Sequence, residues 1–502
     1  MPKSVNQGSL FRSRLSKEFD KKTAIFHTSV NEDLRIFEDD INCTTAHDIM
    51  LHEQGIIPSK ELKLILTAIG EIRQKWRKGE IIIGPEFEDV HEYIETTIIK
   101  QIGIEAGGMI HTGRSRNDQV VTDIKLRLRE DILNISEAAL NLVDALQNRG
   151  KENADAVMIV YTHGQHGQIG TMGAYLSAYA DILLRDQQRL TELYARVNTN
   201  PLGSGPVGGT SININRKRTT ELLGFDAIQE NSIDATSSRD WAMETAAVCA
   251  IIMGDLSRIA ADILEWSTIE FGYIELTDEY TSSSSIMPQK KNPSTIELLR
   301  GKTGEAYGAL MELLTMEKGL PTGYVQDLQE TKLTLWRTVE NTQICLEILT
   351  GAITTMKIKP EKLYRQVPGN FAMAVELAET LSNETSLSFR ESYKIAADLV
   401  NLSISRGDTL DKLKPEDVEA SAIKLYKKDV KVNRAFIDKA TDPMQSLIRR
   451  VSLGSPSPAE VKRMLKEHGE DAKKQRIELS KKRGRIEAAL YKLRQTSEAY
   501  SS

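Results

Sequence analysis

The sequence predicts a mainly α-helical protein built around long, bundled helices, and three observations lead to this prediction. Apolar residues recur in alternating steps of three and four over 121–142 and again over 172–197. Both patterns last about seven turns, longer than an average helix, and this spacing is typical of helix bundles. The segment 242–273 is apolar on nearly every face, as expected for a helix at the centre of a large bundle or oligomer. Strand-like alternation is scarce.

The length of 502 residues predicts more than one domain, because hydrophobic cores stop growing near about 250–300 residues. We divide the chain into an N-terminal, mainly helical domain (1–112), a central long-helix domain (113–362) and a C-terminal helical domain (363–502). Hydrophobic residues make up 40% and charged residues 27%, which excludes disordered and collagen-like classes.

Charge, cysteine content and hydropathy exclude several function classes. A net charge of −6 argues against a nucleic-acid-binding protein, which needs a basic surface. The three cysteines lack disulfide or metal-ligand spacing. No uncharged run reaches the roughly 20 residues that cross a bilayer, and the N-terminus has no apolar signal segment. The sequence therefore predicts a cytoplasmic protein with neither a nucleic-acid nor a membrane partner.

The remaining elements follow from local patterns. A short apolar run at 81–83 and a glycine-rich stretch at 203–215 are the strand candidates. Asp131 and Asp186 interrupt the two long apolar stripes, so they are either paired inside the core or mark the edge of a face. The stretch 461–494 has 12 Lys or Arg against 5 Asp or Glu, which predicts a solvated helix, with an anion-binding arm as the alternative.

The segment 281–302 carries most of the chemical information. Four consecutive serines cannot pack a core, and they compete with regular structure through side-chain hydrogen bonds. Lys290 and Lys291 follow, and then Asn292-Pro293, a pair that predicts a helix with asparagine as its N-cap. The lysines and the free amides at a helix start suit a carboxylate or a developing negative charge. A P-loop is excluded because Ile296 stands where that motif requires glycine.

A second polar segment, MIHTGRSRNDQV at 109–120, lies immediately before the first long helix. The guanidinium groups of Arg114 and Arg116 suit bidentate recognition of a carboxylate. The alternative is a helix cap with ion pairs, in which Asp118 holds one arginine.

A third polar segment, VYTHGQHGQIG at 160–170, lies before the second long helix. His163 and His166 have no third ligand at a diagnostic spacing, so no metal site is predicted. A histidine in such a polar, glycine-rich turn suits an acid–base group or a substrate contact, with a satisfied core histidine as the alternative.

Together these segments resemble the argininosuccinate lyase family, which includes δ-crystallin, within the fumarase and aspartase superfamily. HTGRSRNDQV at 111–120 matches the family's second block, and SSIMPQKKNP at 284–293 is close to the superfamily signature GSSxMPxKxN. Agreement extends from Ser29 to Lys332 and fades in the C-terminal third. The resemblance implies a homotetramer whose central helices form a 20-helix core, with each active site assembled from three subunits.

The resemblance also implies the chemistry. Such lyases split a C–N bond by anti β-elimination and release fumarate. Because the hard step removes a proton from the carbon beside a carboxylate, negative charge must be stabilised where it develops, and no cofactor or metal is required. Matching the signature places the catalytic base at Ser284. A serine is a weak base, so Lys290 and the loop amides would have to favour its alkoxide.

The other site residues are assigned by the same resemblance. Lys290 and Asn292 correspond to groups that hold the reacting carboxylate. His163, with Thr162, corresponds to the proton-donating side, and Glu297 resembles the carboxylate that orients this histidine across a subunit boundary. The further residues expected to contact substrate are Ser29, Arg116, Asn117, Thr162, Tyr324, Gln329 and Lys332.

Several departures from the family pattern concern the amine half of the substrate and loop closure. Ser283 replaces a glycine, Ile169 replaces a proline, and the stretch 324–332 reads YVQDLQETK instead of YNKDLQEDK. At 10–14, LFRSR replaces a tryptophan-Gly-Gly-Arg-Phe stretch. None of these changes removes a proposed acid, base or fumarate-side group.

The leading prediction is therefore cleavage of argininosuccinate to arginine and fumarate, a step of arginine biosynthesis and the urea cycle. A related lyase that acts on another N-substituted aspartate, such as ethylenediamine disuccinate, is the first alternative. A catalytically silent, crystallin-like structural protein is the second, and retention of Ser284, Lys290, Asn292 and His163 weighs against it. The partners expected are a small dicarboxylate substrate and three further copies of the chain.

Overall fold

A computed structural model describes residues 17, 19–368 and 370–501, so the replaced stretch at 10–14 lies outside the described residues. Helices account for most of them, and the predicted mainly α fold class is confirmed. The helices of the N-terminal and central parts are α1 Lys21–His27, α2 Val30–Asp33, α3 Phe37–Glu53, α4 Ser59–Arg77, α5 Val90–Ile102, α6 Ile104–Gly107, α7 Arg116–Glu152, α8 Met172–Val197, α9 Arg216–Leu223, α10 Ser232–Ser237, α11 Asp240–Trp266, α12 Ser294–Glu317 and α13 Thr331–Thr355. Those that follow are α14 Pro360–Arg365, α15 Ala374–Glu384, α16 Phe389–Arg406, α17 Pro415–Tyr426, α18 Arg434–Thr441, α19 Pro443–Arg449 and α20 Pro458–Ser501.

Short 3-10 helices and strands complete the described secondary structure. The 3-10 helices are Leu34–Ile36, Gly108–His111, Asp278–Tyr280, Gln326–Gln329 and Leu410–Lys412. The strands are β1 Val157–Thr162, β2 Gln165–Thr171, β3 Thr199–Asn200, β4 Ala227–Ile228, β5 Ile274–Glu275, β6 Ser282–Ser283, β7 Lys291–Asn292 and β8 Lys357–Ile358. They pair as four two-stranded sheets, β1 with β2, β3 with β4, β5 with β8 and β6 with β7; the β3–β4 pair is parallel and the others are antiparallel.

The three predicted long helices are present as α7, α8 and α11, and they pack with α12 and α13 around one hydrophobic core. Helix α7 begins at Arg116 because a capping box at Ser115 fixes its N-terminal end. The Ser115 hydroxyl accepts a hydrogen bond from the backbone N–H of Asn117, and the Asp118 carboxylate accepts one from the N–H of Ser115. Helix α8 begins after Thr171, whose hydroxyl accepts from the N–H of Ala174.

The two aspartates on the long apolar stripes are buried and paired. Asp131 lies 2.7 Å from the guanidinium of Arg127 and 3.1 Å from that of Arg35. Asp186 lies 2.9 Å from that of Arg189. The pairing alternative is therefore confirmed for both, because a carboxylate removed from water needs a partner charge or hydrogen bonds.

The predicted strands are wrong, and a hairpin that the sequence did not indicate is present. The described residues at 81–83 and 203–215 form no strand. In the second stretch the backbone N–H groups of Gly203 and Gly205 donate to the Asp118 carboxylate instead of to a neighbouring strand. The hairpin β1–β2 was missed because its second strand is rich in polar residues and glycine, although its base packs apolar residues into the C-terminal core.

Helix α20 confirms the helix predicted for the basic C-terminal stretch. Most of its lysines and arginines remain at the surface. One series of its buried residues recurs every seven positions and packs on α7, α8 and α4: Leu465, Ala472, Leu479, Ile486 and Leu493. Two further hydrophobic cores lie in the N-terminal helices and among α15–α19. Among the described residues, no helix combines the length and hydropathy that crossing a membrane requires.

Candidate active site

A cavity of about 320 Å³ opens at the N-terminal end of α7. Four segments far apart in sequence form it: the start of α2, the start of α5, the start of α7 with the residues just before it, and the 3-10 helix that leads into α13. Six of the predicted substrate-binding residues line this cavity: Ser29, Arg116, Asn117, Tyr324, Gln329 and Lys332. Glu88, Asp89, His91 and His111 are among the other residues that line it.

Arg116 is held at the cavity by acidic residues on the segment before α5. Its guanidinium lies 3.1 Å from the Asp89 carboxylate and 3.4 Å from that of Glu88. Burial opposes the charged form, but these carboxylates outweigh it and raise the pKa of Arg116. A cation fixed in this way at the first position of a helix suits recognition of an anionic ligand group.

The arrangement resolves the alternative raised for the polar segment before α7. Asp118 serves as the helix cap, and it also binds the glycine-rich stretch after α8. It forms no ion pair with Arg116, whose partners are Asp89 and Glu88. Burial raises the pKa of Asp118 to about 6, although the backbone N–H groups it binds favour its charged form. Asn117 is oriented by the same stretch, since its amide donates to the carbonyl of Pro206 at 3.1 Å.

On the opposite wall, Ser29 and Lys332 share one buried carboxylate. The Ser29 hydroxyl donates to Asp33 at 2.7 Å, and the Lys332 ammonium forms an ion pair with the other oxygen of Asp33. Gln329 is tied to the same N-terminal segment, because its amide donates to the carbonyl of His27 at 3.0 Å. These contacts order two of the four cavity-forming segments against each other.

The second group of predicted residues lies outside this cavity. Thr162 and His163 are at the exposed tip of the β1–β2 hairpin. His166, on β2, packs edge-on against Tyr161, with ring centroids 5.3 Å apart. The satisfied core histidine considered for this segment is therefore wrong for His163, which is exposed.

The signature loop lies between β6 and β7, which close its neck through the pairs Ser282–Asn292 and Ser283–Lys291. The Ser284 hydroxyl accepts hydrogen bonds from the backbone N–H groups of Ile286 at 3.4 Å and Met287 at 3.1 Å. Such donors stabilise negative charge on the oxygen that accepts them.

The helix start predicted for this loop is wrong by one residue. Asn292 belongs to β7, so it cannot cap a helix, and α12 begins at Ser294 with Pro293 as its N-cap and no side-chain capping bond. The first-turn N–H groups of α12 are therefore not capped by a side chain, which leaves them to attract an anion. Glu297 is exposed on that first turn, and Lys290 is exposed in the loop. Lys291 lies 2.7 Å from Asp278.

One chain therefore carries two separate groups of predicted site residues. The cavity collects the residues assigned to substrate binding near α2, α7 and α13. The residues assigned to proton transfer and to the reacting carboxylate lie on an exposed hairpin and an exposed loop, and they do not line this cavity: Thr162, His163, Ser284, Lys290, Asn292 and Glu297.

A buried histidine–carboxylate cluster adjoins the cavity, and its histidine, His91, lines the cavity wall. His91 Nδ1 is 3.2 Å from Asp40 and 3.5 Å from Asp123, and their ligand atoms lie within 4.8 Å of one another, close enough to hold a metal ion. Burial opposes charge here, but Asp40 and Asp89 raise the pKa of His91, and His91 lowers that of Asp40 to about 2. An imidazolium paired with the Asp40 carboxylate accounts for this arrangement, since burial and the charge of Asp40 raise the pKa of Asp123 well above its ordinary value and favour its neutral form. No local pattern in the sequence indicates the cluster, because α3, α5 and α7 each supply one member.

Comparison with known proteins identifies the family. The lyase family model matches residues 13–308, and the argininosuccinate lyase C-terminal model matches residues 371–447. An argininosuccinate lyase of Nitrosopumilus maritimus is 39% identical over 485 residues, which cover 97% of this chain and 99% of the relative. One of Methanocaldococcus jannaschii is 39% identical over 457 residues, covering 91% and 93%. The chain belongs to the argininosuccinate lyase family.

Solved structures of this superfamily share the fold. EDDS lyase in complex with formate superposes with a TM-score of 0.85 at 29% identity, covering 93% of this chain and 92% of the other. An EDDS lyase variant with bound fumarate has a TM-score of 0.84 with the same coverage and identity. A class II fumarase of Schistosoma mansoni shares the fold at 16% identity, with a TM-score of 0.70 and coverage of 84% and 94%. Membership of the argininosuccinate lyase family confirms the predicted enzyme class, a carbon–nitrogen lyase.

Several residues that shape the site in this argininosuccinate lyase family member were missed in the sequence. No residue near Asp33 in the sequence indicates that its carboxylate is buried. Glu88 and Asp89 belong to a stretch that matches the family pattern, but the sequence alone assigned them no role in the site. Acidic residues beside a predicted cation site are a usable signal, since a buried cation needs a counter-charge. Asp33 offers no such signal, because its partner Lys332 lies 299 positions away.

Proposed function

We propose that the protein cleaves argininosuccinate to arginine and fumarate by anti β-elimination. The observation that carries this proposal is the convergence of Ser29, Arg116, Asn117, Tyr324, Gln329 and Lys332 on one cavity, as the family pattern implies. Relatives named argininosuccinate lyase, which match nearly the whole chain, support it further. The cavity offers cations, amides and hydroxyls, which suit a zwitterionic, carboxylate-bearing substrate.

We propose that the active protein is a homotetramer whose central helices form a 20-helix core. Support comes from α11 and α12, which expose large hydrophobic side chains that a monomer would leave in water. Their exposed fractions lie between 43% and 68%: Ile251, Leu298, Tyr307, Met311 and Leu314. In such an assembly the exposed hairpin and signature loop of neighbouring chains would complete each cavity, so that three chains supply one site. We keep the three-domain division at residues 112 and 362, and a cytoplasmic location, as parts of the same proposal.

In the proposed mechanism, Ser284 removes the proton from the carbon next to the reacting carboxylate. The N–H groups of Ile286 and Met287, which already donate to its hydroxyl oxygen, would stabilise the alkoxide. Lys290 and Asn292 would hold the carboxylate on which negative charge develops. The uncapped first turn of α12 adds a positive dipole end close to them in sequence.

The leaving amine is protonated on the opposite side of the substrate. We assign this side to His163, with Thr162 beside it, and we assign Glu297 of a neighbouring chain to the orientation of the imidazole. A carboxylate that binds one ring nitrogen fixes the tautomer, so that the other nitrogen can exchange a proton with the substrate. The chemistry needs no redox step, and the chain's own side chains supply each proposed proton transfer.

A second lyase activity, on another N-substituted aspartate, is favoured by one observation. The fold superposes on EDDS lyase at a TM-score of 0.85, and the stretch 324–332 departs from the family pattern where it borders the cavity. The two activities share the proposed fumarate-forming groups, so only the amine half separates them.

A substrate panel followed at the ultraviolet absorbance of fumarate tests the proposal. Argininosuccinate is expected to release fumarate, whereas ethylenediamine disuccinate is expected to release little. The reverse result would replace the first activity with the second. Absence of turnover with every N-substituted aspartate tried would favour the crystallin-like structural alternative.

A further inference from the structure

We propose that Asp33 is a positioning residue, which holds the Lys332 ammonium at the cavity wall as a receptor for a substrate carboxylate and orients the Ser29 hydroxyl beside it. This role depends on the proposed function, because Ser29 and Lys332 are assigned to substrate binding there. Asp33 does not itself line the cavity. It lies behind two residues that do.

Both carboxylate oxygens of Asp33 are engaged by cavity-lining side chains. One oxygen forms the ion pair with Lys332, and the other accepts a hydrogen bond of 2.7 Å from the Ser29 hydroxyl. Asp33 is 0% exposed, and Ser29 and Lys332 are each 3% exposed. The Asp33 carboxylate thus binds the Lys332 ammonium at one oxygen and the Ser29 hydroxyl at the other, which fixes the distance between these two groups.

The pair is costly to bury, which favours a role beyond stability. Taking an ammonium and a carboxylate out of water costs free energy that their attraction does not always return, and apolar residues often stabilise such a position better. A lysine at the wall of a cavity that must bind an anion has a different use. Its ammonium has three donors, and Asp33 occupies one, so the others remain to bind a ligand carboxylate. The Ser29 hydroxyl gives its one proton to Asp33, so it offers only its lone pairs to a ligand N–H.

The same two chain segments are also joined by contacts that do not involve Asp33. The indole N–H of Trp336 donates to the carbonyl of Glu32 at 3.1 Å, and the amide of Gln329 donates to that of His27 at 3.0 Å. These bonds hold the segments together, but neither of them reaches the Lys332 ammonium. Loss of Trp336's bond therefore weakens the same interface without moving the carboxylate receptor.

The test compares Asp33→Asn with the matched control Trp336→Phe in the full-length protein. With argininosuccinate as substrate, we expect Asp33→Asn to raise KM at least about tenfold while kcat stays within about threefold, because the receptor binds a part of the substrate that does not react. Trp336→Phe is expected to lower the melting temperature but to keep KM within about twofold of the parent. An unchanged KM in Asp33→Asn, or an equal rise in both variants, would overturn the positioning role.

A double-mutant cycle separates positioning from an independent effect. If Asp33 acts through Lys332, KM of Asp33→Asn combined with Lys332→Gln will stay within about twofold of that of Lys332→Gln alone. If KM of the double variant instead rises by the product of the two separate increases, the proposal is contradicted. Should Asp33→Asn not fold, Asp33→Glu keeps the buried charge but displaces it by one methylene, and it is expected to raise KM at least about threefold. A parental KM in that variant would equally overturn the role.

The parent protein keeps the two proposals apart. If the parent releases no fumarate from argininosuccinate, the proposed function fails. If the parent turns over and the Asp33 variants keep its KM, the positioning role alone fails.

Discussion

His163 and Gly164 both have positive φ angles, 56° and 68°, and they are the two central residues of the tight turn between β1 and β2. Two-residue hairpin turns with φ above zero at both positions are of type I′, which asparagine and glycine fill best. A histidine there adopts a conformation that L residues rarely take. The turn places an exposed imidazole at the end of the hairpin, where it does not line its own chain's cavity.

This turn allows the imidazole to be removed without loss of the hairpin. His163→Asn places Asn-Gly in the turn, so we expect the melting temperature to hold or rise slightly, while kcat falls by about 10²–10⁴ because a proton donor is lost. Steady-state fumarate release and differential scanning calorimetry measure the two effects. Parental kcat in this variant would remove His163 from proton transfer.

Gly164→Ala is the complementary change. It keeps the imidazole but places a side chain where φ is 68°. We expect the hairpin to lose about 1–2 kcal/mol of stability and kcat to fall through displacement of His163. Protease sensitivity of the hairpin and kcat measure the two consequences. A fall in stability with unchanged kcat would show that the imidazole tolerates the displacement.

Ser284→Ala tests the proposed base. The change removes one hydroxyl from a loop whose neck is held by β6 and β7, so the fold should persist. We expect kcat to fall by at least about 10² while argininosuccinate still binds, as measured by isothermal titration calorimetry. The control is Ser285→Ala, which leaves the hydrogen bonds of the Ser284 oxygen in place. Equal losses in both variants would point to loop disruption instead of loss of a base.

Mixing inactive variants tests whether different chains share one site. Suppose that the Ser284 loop and the His163 hairpin of each site come from different chains. When Ser284→Ala and His163→Asn subunits exchange at random in equal amounts, each site has a probability of one half of receiving an intact loop. It has the same probability of receiving an intact hairpin. About a quarter of the sites are therefore restored. Activity after exchange, verified by native mass spectrometry, checks this value. No recovery would place both groups on one chain.

The stability of the long-helix core is expected to depend on pH through Asp186. Burial, reinforced by the nearby Asp255 carboxylate, raises the pKa of Asp186 to about 7. Because folding raises the pKa of this carboxyl, its protonated form stabilises the folded protein. This stabilisation is complete below the unfolded pKa near 4 and is lost as the pH rises through 7. Asp186→Asn should therefore exceed the parent by only about 1 kcal/mol at pH 5 and by about 2–4 kcal/mol at pH 8.

Calorimetry at both pH values measures this difference. Asp255→Asn is the control for the cause of the raised pKa, because it removes the like charge near Asp186. The pKa of Asp186 should then fall towards its unfolded value, and the stability of the protein should change over a narrower pH range. A parent and an Asp186→Asn variant that differ equally at pH 5 and pH 8 would contradict the prediction.

The periodic parts of the fold could be predicted from the sequence, whereas the short elements could not. The stripes over 121–142 and 172–197 extend over many turns, so that no single polar residue obscures them. The strands β6 and β7 have two residues each, and nothing in their sequence distinguishes a ladder pair from a cap. Asn292 illustrates this, because Asn-Pro favours a helix start locally and the pairing with Ser282 decides otherwise.

The candidate site shows the same division between local and non-local information. Resemblance to a family assigned eight residues to substrate binding, and the structure brings six of them together at one cavity, whereas Thr162 and Asn292 lie outside it. The counter-charge Asp33 could not be predicted, since its ion pair with Lys332 spans 299 positions and leaves no local pattern. Nor does a single sequence indicate that the hairpin and the signature loop do not line that cavity.

All three cysteines, Cys43, Cys249 and Cys345, are free and buried. A maleimide reagent applied to the folded protein should therefore find almost no thiol to modify. Lys474 is 73% exposed on α20, and Lys474→Cys would supply a single reactive position per chain. Fluorescent dyes attached there would report subunit mixing by energy transfer in real time, with no need to delete any native thiol first.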